Sequence, residues 1–243
     1  MRISRRELIL GPLVLGAGLL PGPRAKAEGE RGVDLALVLS VDVSGSVNEQ
    51  RFSLQRNGYA LAFESPEVAQ AITAGPHRAI AVTLAEWSGV GQQRQLIEWT
   101  ILDNADSAAS FGSALAEVPR AYAEMTALGD AIDFSAGLFR ARDFGETRRV
   151  IDVSGDGRTN AGMRAEAARD RAVARGITIN GLPILAEEPD LDRYYRNNVI
   201  GGEGAFLVIA RDFKSFAEAI RTKLVREIAD HSVLGRQRPR QLA

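Results

Sequence analysis

The run Val33-Asp34-Leu35-Ala36-Leu37-Val38-Leu39-Ser40-Val41 is almost continuously apolar and ends on Asp42-Val43-Ser44-Gly45-Ser46. A short Val- and Leu-rich run bounded by turn chemistry reads as a strand buried on both faces, as in a parallel sheet covered by helices. Asp42 then leaves the sheet at a strand's carboxyl end, which is where open α/β sheets bind ligands. Asp42, Ser44 and Ser46 stand at alternate positions and can turn three oxygens toward one point. With no nitrogen or sulfur among them, such a cluster suits a hard cation such as Mg²⁺ better than zinc. The two serines also fit an ordinary role, capping a helix that starts near Asn48.

The rest of the chain alternates strands and helices. Asn48 to Glu64 places Phe52, Tyr59 and Phe63 near helical spacing, and Ser65-Pro66 is expected to end that helix. Arg78 to Trp87 predicts a strand, Ser88 to Gln93 a glycine-bearing turn, and Arg94 to Ile101 its hairpin partner. Helices follow over Asp106–Val118, capped near Asp103 or Asn104, then Leu128–Arg142, Ala161–Arg175 and Phe213–Asp230, with Gly176 closing the third as its C-cap. Strands are predicted over Arg148–Ser154, Ile177–Leu185 and Ala205–Ile209. The order predicts a Rossmann-like doubly wound α/β fold, with a mostly parallel sheet and one antiparallel edge hairpin. No internal repeat or second domain is visible.

Two further segments, Thr126-Ala127-Leu128-Gly129-Asp130 and Ser154-Gly155-Asp156-Gly157, join Asp42-Val43-Ser44-Gly45-Ser46 in giving the chain a family likeness. It resembles the von Willebrand factor type A (VWA) domain superfamily over roughly residues 33 to 230, and more closely bacterial exported VWA-like proteins of uncharacterised function. The resemblance implies a metal-ion-dependent adhesion site in which Asp42, Ser44 and Ser46 form the first loop, Thr126 the second and Asp156 the third. Glu124-Met125 stand where members usually have glycines, Leu128 where they carry a second threonine, and Ser154-Gly155 where many have an apolar residue and Thr. The likeness further implies Mg²⁺ (or Mn²⁺), with one coordination position open to an Asp or Glu carboxylate of a protein partner. Two carboxylates would offset the dication, and waters would complete its octahedron.

The N-terminal residues 1–27 have the composition of an export signal. Arg5-Arg6 precede an apolar stretch that runs to Leu20, and Ala25-Lys26-Ala27 supplies small residues for cleavage. The stretch is too short for a spanning helix, which needs ~20 residues. A twin-arginine route to the periplasm or beyond is expected, with Leu8 where its consensus has Phe. The VWA-like domain is then expected over residues 28–235, followed by a basic tail over 236–243.

The whole chain carries a formal charge of −1, and residues 1–27 hold Arg2, Arg5, Arg6, Arg24 and Lys26 against Glu7, so the remainder stands at −5. A mildly acidic chain without a long basic run offers no electrostatic footprint for nucleic acid. The absence of cysteine excludes disulfides and Cys-ligated metal.

Other signals point less strongly to chemistry. His77 and His231 are too few and too scattered for a histidine triad or a zinc site. Trp87 and Trp99 read as core residues, with Trp87-Ser88-Gly89 as a possible rim. Gly201-Gly202-Glu203-Gly204 lacks the strand-then-helix setting of a phosphate loop. Tyr194-Tyr195-Arg196-Asn197-Asn198 reads as an amphipathic turn or a lid near the sheet top. The alternative function is a Mg²⁺-dependent phosphatase resembling the haloacid dehalogenase superfamily, since Ser154-Gly155-Asp156-Gly157 looks like its final motif. That family places a second Asp two residues after its nucleophile as acid/base, and Ser44 stands there. A binding module, not an enzyme, is therefore the expectation.

Overall fold

A computed structural model describes residues 32–145 and 147–230. The expected export signal, the basic tail and His231 lie outside the described residues. Among the described residues, β1 (Leu35–Asp42), β2 (Ile80–Trp87), β3 (Gln93–Leu102), β4 (Arg148–Gly155) and β5 (Ile177–Pro183) form one sheet in the order β3-β2-β1-β4-β5. β1 pairs in parallel with β2 and β4, β4 in parallel with β5, and only β3 runs antiparallel, against β2. The doubly wound sheet with its antiparallel edge is therefore as expected, and β1 lies at its centre.

Every residue of β1 is buried, because the period-two alternation of side chains feeds both faces. Leu35, Leu37, Leu39 and Val41 enter one apolar cluster; Ala36 and Val38 enter the other. Helices α1 (Glu49–Glu64), α2 (Pro66–Ala74), α3 (Ala105–Glu117) and α7 (Phe216–Ala229) contribute to the first cluster, and α4 (Leu128–Leu138) and α5 (Ala165–Val173) to the second. Burying one such Leu or Val side chain stabilises by about 1.5–3 kcal/mol. The centre of the sheet, and with it the position of Asp42, is thus fixed by packing from both sides. The remaining helix, α6 (Leu191–Tyr194), runs into a π-helical turn over Tyr195–Val199.

Three local differences from the sequence reading have clear causes. Ser65-Pro66 ends α1 but also begins α2: Ser65 accepts from Val68 N, and Pro66 occupies the first turn, where its missing N–H costs nothing. Residues 161–164 are a loop before α5, with Gly162 at φ +69° and Met163 N bonded to Asp130 Oδ2. The strand expected over Ala205–Ile209 is reduced to isolated bridges, Gly181 with Leu207 and Ile184 with Ala210. Gly181 N donates to Phe206 O and Ala210 N to Pro183 O, but Pro183 has no N–H to continue the ladder between them. Among the described residues no helix is long and apolar enough to cross a membrane.

Between β4, β5 and α7 the first cluster encloses charge. Lys223 and Glu227 lie on the same face of α7 as Phe216, Ile220 and Leu224, and both are fully buried. Lys223 Nζ stands 2.5 Å from Asp152 Oδ1 and 3.1 Å from Glu227 Oε2. The Lys223 ammonium thus supplies the charge compensation of the buried Asp152 carboxyl. Asn180 donates to Glu227 Oε1 at 2.7 Å and accepts from Phe206 N at 2.9 Å, tying the irregular segment to the sheet.

Candidate metal centre

Asp42, the last residue of β1, pairs across the sheet with Trp87, and Val43 N still donates to Trp87 O. The chain then turns: Asp42 Oδ1 accepts from Ser44 N at 2.7 Å, the short local bond that Asp favours in loops. Ser44 Oγ and Ser46 Oγ lie 3.3 Å apart, and Ser46 Oγ donates to Asp156 Oδ1 at 2.5 Å. Asn48, not either serine, caps α1 by accepting from Arg51 N. The serine hydroxyls are therefore left to face the carboxylates, and the capping alternative falls to Asn48.

Two groups lock the first loop to the second. Gly45 N donates to Glu124 O at 2.7 Å, and the Arg120 guanidinium donates to Val43 O and Ser44 O at 2.8 and 2.9 Å. A Cβ at Gly45 would stand 3.3 Å from Glu124 O, so a glycine suits this approach. The threonine loop is held on its other side by Ser88, whose hydroxyl accepts from Glu124 N and donates to Met125 O. Thr126 itself exchanges backbone bonds with Asn160: Thr126 N donates to Asn160 Oδ1, and Asn160 N to Thr126 O. Thr159 Oγ1 accepts from Leu128 N and so caps α4, which has no cap of its own. The Thr126 hydroxyl lies 3.8 Å from the point a Cβ at Gly157 would occupy, one residue beyond Asp156.

The structure thus brings Asp42, Ser44, Ser46 and Asp156 into one bonded cluster and sets Thr126 beside it through backbone contacts. Sequence reasoning placed Ser88 only as a possible rim residue, did not assign Arg120, Thr159 or Asn160 a supporting role, and missed Arg51. The Arg51 guanidinium donates to Ser46 O at 2.8 Å, lies 3.5 Å from Asp156 Oδ2, pairs with Glu187 and stacks over Phe213. A signal for it existed in its place in the first turn of α1, directly after the serine loop, but Arg on a helix surface is ordinarily solvated.

Asp42 Oδ2 and Asp156 Oδ2 are both buried without a hydrogen-bond partner. Burial, and then the neighbouring Asp156 charge, push the Asp42 carboxyl up to about 7. Burial raises Asp156 as well, opposed by the Ser46 hydrogen bond and the Arg51 charge. Two buried carboxylates whose proton affinity is raised by burial, Asp42's further by the Asp156 charge, each with an oxygen lacking a hydrogen-bond partner, form a site short of positive charge. The donors fit a small hard dication: two carboxylates and up to three hydroxyls, all oxygen. Among the described residues no group of three or more His, Cys, Asp and Glu side chains is placed to hold a metal, so any ion here depends on the hydroxyls.

Comparison with known proteins agrees with this architecture. A family model described as protein of unknown function (DUF1194) matches residues 32–232. No curated protein matches the sequence. Among solved structures the chain is similar to the pilus adhesin SpaC from Lactobacillus rhamnosus GG in an open conformation, with a TM-score of 0.60 and 15% identity over 81% of this chain and 30% of that one. It is similar to proximal thread matrix protein 1 from the mussel byssus with a zinc-occupied MIDAS motif, with a TM-score of 0.54 and 14% identity over 83% and 48%. It is also similar to a von Willebrand factor type A protein from Catenulispora acidiphila, with a TM-score of 0.54 and 17% identity over 82% and 43%. The chain spans less than half the length of each of these three proteins. At such identities the likeness establishes the VWA fold.

Proposed function

This chain belongs to the DUF1194 family and has a VWA fold, and from that premise we propose that it is an exported, metal-dependent protein-binding module. The observation that carries the reading is the pair of buried oxygens without hydrogen-bond partners, Asp42 Oδ2 and Asp156 Oδ2, beside the Ser44 and Ser46 hydroxyls. Asp42, Ser44, Ser46, Thr126 and Asp156 would hold Mg²⁺ or Mn²⁺. The bound ion would supply the largest local charge at the rim and an acceptor position for a carboxylate oxygen of another protein. Arg120, Ser88 and Asn160 hold the loops that carry these residues without the ion. The adhesin and the byssal matrix protein among the similar structures support a binding role, and the zinc-occupied site of the latter supports a metal. The arginine pair and small-residue segment near the N-terminus support export.

Binding is favoured over phosphoryl transfer because Ser44 stands where the phosphatase alternative needs an acid. Its hydroxyl, 3.3 Å from Ser46 Oγ, cannot deliver a proton to a leaving oxygen as a carboxylic acid at that position would.

The test is calorimetric titration of the chelator-treated protein with Mg²⁺ and Mn²⁺, paired with thermal unfolding. An ion at ~100 times its dissociation constant should stabilise the fold by about 2.7 kcal/mol. Asp42→Ala should remain folded and lose that response. Equal responses from the wild type and Asp42→Ala would overturn the reading.

A further inference from the structure

Tyr195 opens the π-helical turn, a feature that often marks functional sites. Its side chain is fully buried in the second apolar cluster, and its hydroxyl has no hydrogen-bond partner. Two strand glycines make room for it. A Cβ at Gly181 of β5 would stand 2.8 Å from the ring carbon Cδ1, and a Cβ at Gly155 of β4 would stand 2.8 Å from the hydroxyl oxygen. That second point is also 2.8 Å from Asp42 Oδ2. The unmet phenol and the unmet carboxylate oxygen therefore line the same small gap, which exists because residue 155 has no side chain.

Packing alone does not account for this hydroxyl. A phenylalanine would fill the ring's space, whereas a buried hydroxyl left unpaired costs ~1–3 kcal/mol. We propose that Tyr195 is a positioning residue of the metal centre: its phenol, unpaired in the metal-free fold, donates to Asp42 Oδ2, directly or through one water, once the ion is bound, and fixes the carboxylate's orientation toward it. The inference rests on the metal-binding reading above. A carboxylate oxygen has two acceptor sites, so Oδ2 can accept from Tyr195 and still face a cation. Burial and the charges of Asp42 and Asp156 keep the phenol protonated and so able to donate. Asp42 Oδ1 is already held by Ser44 N, so a donor at Oδ2 would hold the second end of the group.

The variant is Tyr195→Phe, which keeps the ring and its packing. Three measurements are made: denaturant unfolding in chelator, calorimetric titration with Mg²⁺ and Mn²⁺, and the near-ultraviolet difference spectrum on adding Mn²⁺. Tyr195→Phe should unfold in chelator at the wild-type midpoint or above it, because only an unpaired hydroxyl is removed. Its metal affinity should fall by ~10-fold or more, the range seen when outer-shell partners of metal ligands are lost. The tyrosine component of the wild-type difference spectrum should vanish. Wild-type affinity in the variant, or a persistent tyrosine signal, overturns the inference and leaves the metal site standing. A metal-free stability loss in the variant makes the phenol a structural partner and also overturns it. A wild-type protein that binds neither ion overturns the metal reading itself and the inference with it.

Discussion

Ser46 Oγ donates to Asp156 Oδ1 at 2.5 Å, joining the first loop to the third across a sequence separation of 110 residues. A hydroxyl bonded to a carboxylate is a charge-assisted contact and among the stronger hydrogen bonds a protein makes. In the metal-free fold it is the direct side-chain link between the two loops. Ser46→Ala should therefore weaken the metal-free protein, by about 1 kcal/mol because water can reach this partly exposed side chain. Urea unfolding in chelator reads the change directly. An unchanged midpoint would mean that the Arg120 and Glu124 contacts hold the loop alone.

The same loops set a pH dependence. Burial and the Asp156 charge raise the Asp42 carboxyl from 3.8 to about 7 in the metal-free fold. A folded pKa above the unfolded one means that the folded state holds the proton more tightly. The resulting stability is fully present below the unfolded value near 4 and is lost as pH rises through about 7. Chelator-treated protein should accordingly be less stable at about pH 8 than at about pH 5, and Asp42→Asn should flatten that fall. Asp152, raised to about 7 by burial against the pull of Lys223, contributes a slope of the same sign, so the comparison with the variant isolates Asp42. An Asn variant with the wild-type slope would place the titration elsewhere.

Lys223 compensates two buried carboxylates, Asp152 and Glu227. Lys223→Met keeps most of the side-chain volume but leaves both acids without their cation. Removing one partner of a buried pair costs about 3–5 kcal/mol. Adding Asp152→Asn should recover part of that loss, because one uncompensated charge is then gone. Denaturant midpoints of the single and double variants measure both steps. A single variant within about 1 kcal/mol of wild type would show that the cluster is not charged as drawn.

The central strand was legible because burial on both faces leaves a continuous apolar run, and Asp42 stood out as the point where that run stops. Asn104, expected near the start of α3, does cap it, since local capping chemistry is written in neighbouring residues. What sequence reasoning missed depends on partners distant in the chain. Lys223 and Glu227 fall at apolar-face positions of α7, and only Asp152 and Asn180 on the sheet explain how they can be buried. The sixth strand failed because Pro183, on the neighbouring strand, withholds a donor. Gly155 and Gly181 mark the path of the Tyr195 ring, but a glycine in a strand does not say what approaches it. The candidate site itself was readable as residue types, while the residues that hold its loops, Arg120, Ser88 and Asn160, carry no local pattern.

Export can be tested independently of metal. The twin-arginine receptor reads a guanidinium pair, whereas a general secretory signal needs only positive charge. Replacing Arg5 and Arg6 with lysines should leave precursor in the cytoplasm if the twin-arginine route is used. Cell fractionation with a tag at the C-terminus follows the processed form. Normal processing of the double variant would assign the general route.

The final expectation concerns the partner. An ion held by Asp42, Ser44, Ser46, Thr126 and Asp156 would carry more positive charge at the rim than any side chain there. An acidic side chain of another protein is the ligand that such a position selects. Arg51 stands next to it, already bonded to Ser46 O and paired with Glu187, and can take a second carboxylate oxygen when that surface pair opens. Exposed pairs of this kind contribute at most about 1 kcal/mol, so exchanging Glu187 for a partner's carboxylate costs little. Binding should vanish with chelator, return with Mg²⁺ or Mn²⁺, and fail when one Asp or Glu of the partner becomes Asn or Gln. Thr126→Ala should weaken it at least ~10-fold even at saturating metal, since an ion with a missing ligand no longer presents its open side in place. The measurement is titration of the isolated partner against wild type and Thr126→Ala, with and without metal. An affinity indifferent to chelator would assign the contact to another surface and leave the ion a structural role.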